Sequence, residues 1–290
     1  MTFSVVAADP DTGEVGVATE SKFLAVGAVV PWARGAVGAV ATQSFADATF
    51  GPRGLDLLAS GVAPLDVLDH LLEGDERREE RQAGVVDAAG RAASFTGKGC
   101  FEHASSMTGP GYACQGNILA SAEVVPAMAE GYEAAHGPLP ERLIEALRAA
   151  QRAGGDRRGQ ESAALLVAKP GGGYGGNNDR YIDLRVDHHS EPIEELGRLL
   201  ALHRLYFARP DEGAVIQVDP VLREEIEAAL NSLRKLQPGR DMWDDLFDYM
   251  GWENLEERWA GPGRIDPEVL AYLRRHAEQV RKGGVGESSP

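Results

Sequence analysis

The chain opens Met1-Thr2, and Thr2 begins an apolar run, Phe3-Ser4-Val5-Val6-Ala7-Ala8. Removal of Met1 leaves Thr2 with both a hydroxyl and a free α-amine. That amine, with an ordinary pKa of about 8, can serve as general base for its own hydroxyl. The pair is useful only where the chain end is held in a structured site. Other reactive side chains offer less. Cys100 and Cys114 are too few for a zinc site, and a disulfide is not expected in a chain read as leaderless. Cys114 lies in a β-like run with no partner His nearby in sequence. His188 and His189 are neighbours, and neighbours on a strand face opposite ways, so they read as loop histidines and not as a metal pair. The glycines of Gly171-Gly172-Gly173-Tyr174-Gly175-Gly176 lack the Lys-Ser or Lys-Thr of a phosphate loop. No metal and no cofactor are expected.

The elements that must hold Thr2 follow from hydrophobic patterning. Phe3–Ala8 and Val15–Ala18 flank a turn at Asp9-Pro10-Asp11-Thr12-Gly13, which predicts a β-hairpin starting at residue 2. Ala25–Val30 and Gly35–Gln43 read as two more buried strands around a turn at Pro31–Gly35. Two short helices follow, one with Leu55, Leu57 and Leu58, one from Pro64 to Gly74. Asp87-Ala88-Ala89-Gly90 then turns a second hairpin, and Tyr112–Asn117 is another strand. Helices are predicted over 121–135 and 139–153, strands at Ser162–Val167 and Tyr181–Val186, and a helix through Leu196–Leu202. Strands come in groups with helices in pairs between them, which suits two face-to-face sheets with helices outside. Ala208–Gly213 opens a linker over 208–218, residues 219–281 look helical, and 282–290 read as a flexible tail. The Trp243, Trp252 and Trp259 side chains can form an aromatic shelf or simply fill a small core.

The totals set limits. With 290 residues there is room for one large domain or a medium one plus a small one. A net charge of −16 argues against nucleic acid and anionic membranes as partners. No signal peptide or membrane span is read, so the expected location is cytoplasmic.

Several motifs together resemble a known family. They are Ser21-Lys22, Ala25-Val26-Gly27, Val30-Pro31-Trp32-Ala33, Gly38–Gln43, Gly51-Pro52-Arg53-Gly54-Leu55, Tyr112–Asn117, Gly154–Gly159 and Asp179-Arg180-Tyr181. Over about residues 2–205 the chain resembles a bacterial Ntn-hydrolase-like domain-of-unknown-function family, family number 1028. The resemblance implies an α+β fold, a four-layer αββα sandwich related to proteasome β subunits, over 1–207. The segment Trp252-Glu253-Asn254-Leu255-Glu256-Glu257-Arg258-Trp259 resembles a domain labelled peptidoglycan-binding, which makes peptidoglycan fragments a further candidate partner. Ntn sandwiches often assemble, so a homo-oligomer is expected.

In active Ntn hydrolases the N-terminal Thr, Ser or Cys attacks an amide carbonyl and the α-amine takes its proton. Thr2 fits that role by position; it is also an ordinary first residue of a strand. Lys22 ends the second strand, where a cation would lower the pKa of a neighbouring amine; a solvated strand end is the alternative. Glu20 and Ser21 are candidate supporting partners or turn residues. Asn117 can donate its amide to an oxyanion, or form a turn. Gln43 ends another buried strand and can converge on the same spot. Asp156, in its glycine-bracketed loop, can anchor the free amine or a basic substrate group, or make an Asx turn. The expected activity is an amidohydrolase acting on a small amide or peptide-like substrate. The alternative is a non-catalytic scaffold that binds a metabolite or assembles with partners.

Overall fold

The computed structural model describes residues 2–282; Met1 and 283–290 lie outside the described residues, and so does all but Lys282 of the expected tail. The chain divides into two compact units, Met1–Leu200 and Ala201–Pro290.

The first unit is α+β with antiparallel sheets. A six-stranded sheet runs in the order β10-β9-β2-β1-β8-β7, built from β1 (Thr2–Asp9), β2 (Glu14–Ser21), β7 (Ser105–Gly109), β8 (Tyr112–Asn117), β9 (Ser162–Ala168) and β10 (Arg180–Val186). A four-stranded sheet runs β3-β4-β5-β6, from β3 (Pro31–Arg34), β4 (Gly38–Ser44), β5 (Arg81–Asp87) and β6 (Ala92–Thr96). The β1–β2 hairpin turns where Asp9 Oδ1 accepts the Asp11 and Thr12 amides and Gly13 takes φ +73°. In β5–β6, Asp87 Oδ1 accepts the Ala89 and Arg91 amides.

Strand alternation sorts the side chains into layers. Phe3, Val5 and Ala7 of β1, with Ala18, Cys114, Leu165 and Val167, pack against α3 (Val124–Ala134) and α4 (Leu139–Arg152). Val40, Ala83 and Val85 of the smaller sheet pack against α1 (Phe50–Ala59) and α2 (Pro64–Leu72). The remaining faces meet each other: Val6, Ala8, Val15 and Val17 against Ala39, Ala41 and Val86.

Two sequence expectations are corrected here. Ala25–Val30 is not a strand: Ala25 turns left-handed at φ +53° and Val26–Ala28 closes a 3-10 turn, with Val30 N–H bonded to Val26 O. Pro31–Gly35 is not a turn: Pro31–Arg34 forms β3, an edge strand where a proline lacking N–H is tolerated. The apolar run was real but serves close packing, since a Cβ on Gly27 would stand 2.6 Å from Ala164 Cβ.

The last helix of the first region, α5 (Pro192–Phe207), contains the division between the units. In the second unit α6 (Pro220–Ser232), α7 (Met242–Trp252) and α8 (Pro267–Arg281) each start from an aspartate cap: Asp219, Asp241 and Asp266 accept amides of the first turn. The segment read as a linker carries β11 (Ile216–Gln217), which pairs with β12 (Arg264–Ile265), and Val218 N–H bonds to Gly263 O at 2.9 Å. No helix among the described residues is long and apolar enough to cross a membrane.

Candidate active site

At period two, each strand facing the layer between the sheets turns polar at the same end. On β1 Val6 gives way to Ser4 and Thr2; on β8 Ala113 gives way to Gln115 and Asn117. On β4 Ala41 gives way to Gln43, and on β5 Val86 leads through Gly84 to Gln82. All of these polar residues are buried. Buried amides and hydroxyls must find partners, and most of these find one another across the sheets. Ser4 Oγ donates to Gln43 Oε1 at 2.5 Å and accepts Gln115 Nε2 at 2.7 Å. Gln82 Oε1 accepts both Gln43 Nε2 (2.8 Å) and Asn117 Nδ2 (2.9 Å). The Gln82 amide donates in turn to Gly116 O, Thr96 Oγ1 and Ser105 O. Gly84 is required beside this frame because a side chain there would collide with the Gln115 amide.

Thr2 is fixed by that frame. Its carbonyl accepts Gln43 Nε2 at 3.1 Å and Asn117 Nδ2 at 3.5 Å, and its hydroxyl donates to Ser21 Oγ at 3.1 Å. The sequence-predicted residues Thr2, Ser21, Gln43 and Asn117 therefore come together. In this arrangement the Asn117 amide protons are committed to Gln82 and Thr2, and the unpartnered atom is Asn117 Oδ1. Asn117 thus positions Thr2.

Left-handed backbone adjoins the frame at two strand ends and recurs at His103. Ser44, directly after Gln43, has φ +69°; Ile118, directly after Asn117, has φ +49°; His103, two residues before β7, has φ +54°. Left-handed backbone is uncommon outside glycine and is a genuine outlier for a β-branched residue such as Ile118. Strain of this kind costs about 1–3 kcal/mol per residue and gathers at functional sites.

Glu20, Lys22 and Asp156 form a second group. Glu20 pairs with Phe3, whose side chain lies on the helix-covered face, so alternation turns Glu20 away from the Thr2 hydroxyl. Its exposure is 0%, no side chain donates to either carboxyl oxygen, and the Glu161 backbone gives only partial compensation. Burial pushes the Glu20 carboxyl well above the usual carboxylate range, and the nearby Asp156 charge adds to the shift. Asp156 accepts the Lys22 and Arg158 amides at 3.0 and 2.7 Å, with Arg158 Nη2 at 3.4 Å. It is the loop anchor that an Asx turn would make. The Lys22 ammonium points outward to Glu161 (2.7 Å) and Gln160 O (3.1 Å) and does not join the Thr2 frame. Lys22 and His188 hold the Glu161 carboxyl below its ordinary range.

The remaining candidates lie elsewhere. Cys114 is fully buried and burial pushes its thiol up; Cys100 is half-buried with Sγ 3.4 Å from Arg81 O. His188 bonds Glu161, while His189 Nδ1 accepts the Glu191 amide. Among the described residues, no three His, Cys, Asp or Glu gather as they would around a metal. In the second unit Trp243 and Trp259 pack on the core, while Trp252 is exposed beneath Lys235 Nζ at 4.2 Å.

Sequence reasoning missed Gln82, Gln115 and Ser4 as a frame. The available signal was polar residues interrupting apolar strands at one end of each inner-face row. It also missed the left-handed backbone at the strand ends, for which Ile118 and Ser44 carry no signal in sequence.

Comparison with known proteins adds the following. A family model described as a family of unknown function, DUF1028, matches residues 2–196. A crystal structure of a Silicibacter pomeroyi protein assigned to that family is similar to this chain with a TM-score of 0.64 and 33% identity. The match covers 70% of this chain and 89% of the other. No curated protein matches.

Proposed function

The chain belongs to the DUF1028 family, and on that premise we propose that it is an Ntn-type amidohydrolase with Thr2 as nucleophile. The observation that carries this reading is the fixing of Thr2 by buried side chains at both its carbonyl and its hydroxyl. The helix–sheet–sheet–helix order of core layers in the first unit supports the related four-layer αββα reading. The strained residues next to Gln43 and Asn117 support a functional role for this end of the strands.

The chemistry follows. Removal of Met1 frees the Thr2 α-amine. Thr2 Oγ attacks the amide carbonyl while the amine takes the hydroxyl proton. The amine then gives a proton to the leaving nitrogen as the C–N bond breaks. Water hydrolyses the resulting acyl ester and regenerates Thr2. Gln43 and Asn117 act as positioning residues by holding the Thr2 carbonyl, and the substrate is a small amide or peptide-like molecule.

A second reading has its own support. Thr2 is buried and its hydroxyl already has Ser21 as partner, which suits a non-catalytic scaffold. Intact mass and peptide mapping after treatment with an amide-directed electrophile separate the two. The amidohydrolase reading expects native protein without Met1, an adduct on Thr2, and no adduct on Thr2→Ala. Retained Met1, or labelling that survives in Thr2→Ala, sinks it in favour of the scaffold.

A further inference from the structure

Two aromatic rings stand exposed on segments that flank the strands of the Thr2 frame. Phe45 is 43% and Phe101 is 55% exposed, and their ring centroids lie 6.0 Å apart with planes tilted by 45°. Both sit close to the frame along the chain. Phe45 is two residues beyond Gln43, which holds the Thr2 carbonyl. Phe101 is four residues before Ser105, whose carbonyl accepts Gln82 Nε2 at 3.2 Å.

The fold holds Phe45 outward against its own apolar preference. Ser44 takes φ +69° just before it. The Phe45 amide donates to Glu80 O at 3.3 Å, and its carbonyl accepts Arg81 Nη1. Arg81 is itself fixed by a largely buried ion pair with Asp75 at 2.7 Å. The mount holds the half-exposed Phe45 ring in place before a ligand arrives, and pre-organisation of that kind lowers the cost of ordering on binding.

We infer that Phe45 and Phe101 form the substrate-recognition surface of this site and select amides that carry a neutral aromatic or bulky apolar group. The inference rests on the amidohydrolase reading for the word substrate. Charge beside the rings agrees with the class. Arg77 covers one face of Phe45 at 4.7 Å, but its guanidinium is bound to Glu80 at 2.6 Å and so makes no demand for an anion. The size of the patch argues against a protein partner. Two half-exposed rings offer roughly 200 Å², well short of the roughly 800 Å² per side of a standard interface.

The test uses N-phenylacetylglycinamide and N-acetylglycinamide, titrated calorimetrically into Thr2→Ala protein, which cannot turn them over. The phenylacetyl amide is expected to bind about tenfold more tightly than the acetyl amide. That preference should vanish when Phe45→Ala or Phe101→Ala is added, and survive in part in Phe45→Leu, which keeps an apolar side chain and guards against misfolding. Equal affinities, absence of binding by either amide, or Ala variants that keep the preference overturn the proposal. Loss of self-association in Phe45→Ala with the preference intact overturns it too, by assigning the rings to a second copy. Because no nucleophile is needed, a preference that holds while the wild-type protein resists labelling at Thr2 leaves the recognition surface standing and removes only the amidohydrolase reading.

Discussion

The two ends of the layer between the sheets are built from opposite materials on the same strands. At one end Val6, Val15, Val17, Ala39, Ala41 and Val86 pack together. At the other, Ser4, Gln43, Gln82, Gln115 and Asn117 bond together around Thr2. The apolar end stabilises the fold through area removed from water, about 25 cal/mol per Å², and tolerates many arrangements. The polar end contributes only about 1 kcal/mol net per hydrogen bond, and only in one arrangement. It also leaves Asn117 Oδ1 and Gln115 Oε1 without partners and carries strained residues at its strand ends. An apolar end would be the better stabiliser. What the amide frame supplies instead is a fixed orientation for Thr2, which the proposed chemistry would use.

The largest expected effect comes from breaking the frame at its hub. Gln82→Ala removes the acceptor shared by the Gln43 and Asn117 amides and the donor to the Gly116 carbonyl. It should lower stability by about 3 kcal/mol and abolish electrophile labelling of Thr2. Val6→Ala, at the apolar end, should lower stability by about 2 kcal/mol and leave the labelling rate unchanged. Denaturant midpoints and adduct mass measure both. If the two variants label Thr2 equally well, the contrast between the ends has no bearing on chemistry.

Next in size is Glu20, which sharpens the comparison by placing an acid on the far face of the same strand end. Its folded-state carboxyl is raised above the ordinary range, with burial as the first cause. A raised carboxyl holds its proton in the folded state after the unfolded chain has released it. Its contribution is therefore fully present below the unfolded pKa of about 4.3 and is lost as pH rises from there through the raised folded value. Glu20→Gln should remove that slope and leave the variant more stable than wild type on the alkaline side, where only the wild-type carboxyl is driven to ionise. Melting temperature measured from pH 4 to pH 9 reports it. Parallel curves for the two proteins would mean that Glu20 is ionised and served in the fold.

Much of this contrast is legible in the sequence, and the rest has a physical reason for being hidden. The β1–β2 hairpin follows from Asp9–Gly13, and Gln43 and Asn117 stand out as polar ends of apolar runs. Proximity in sequence groups Glu20 with Ser21. Period two puts it on the other face, which is visible only once its pairing with Phe3 is known. Ala25–Val30 misled because an apolar, glycine-rich run fits a buried turn as well as a strand. Gln82 is hidden because a single strand does not show which sheet it will face. Phe45 carries no signal in sequence, because a lone phenylalanine says nothing of the backbone that mounts it.

The smallest effect tests whether strain belongs to the comparison. Ile118→Gly removes a half-buried branched side chain, which alone would be destabilising. It also releases a left-handed residue whose strain is about 1–2 kcal/mol, while adding the entropy of a glycine to the unfolded chain, about 0.5–1 kcal/mol. These terms nearly offset, so the denaturant midpoint should move by less than about 1 kcal/mol. The labelling rate should nonetheless fall, because Ile118 follows Asn117 directly and its fixed turn aims the amide that holds the Thr2 carbonyl. A stable variant with slower labelling separates orientation from stability at this end of the strands. Unchanged labelling would mean that Asn117 is held by Gln82 alone, and the difference between the two ends would reduce to polarity without strain.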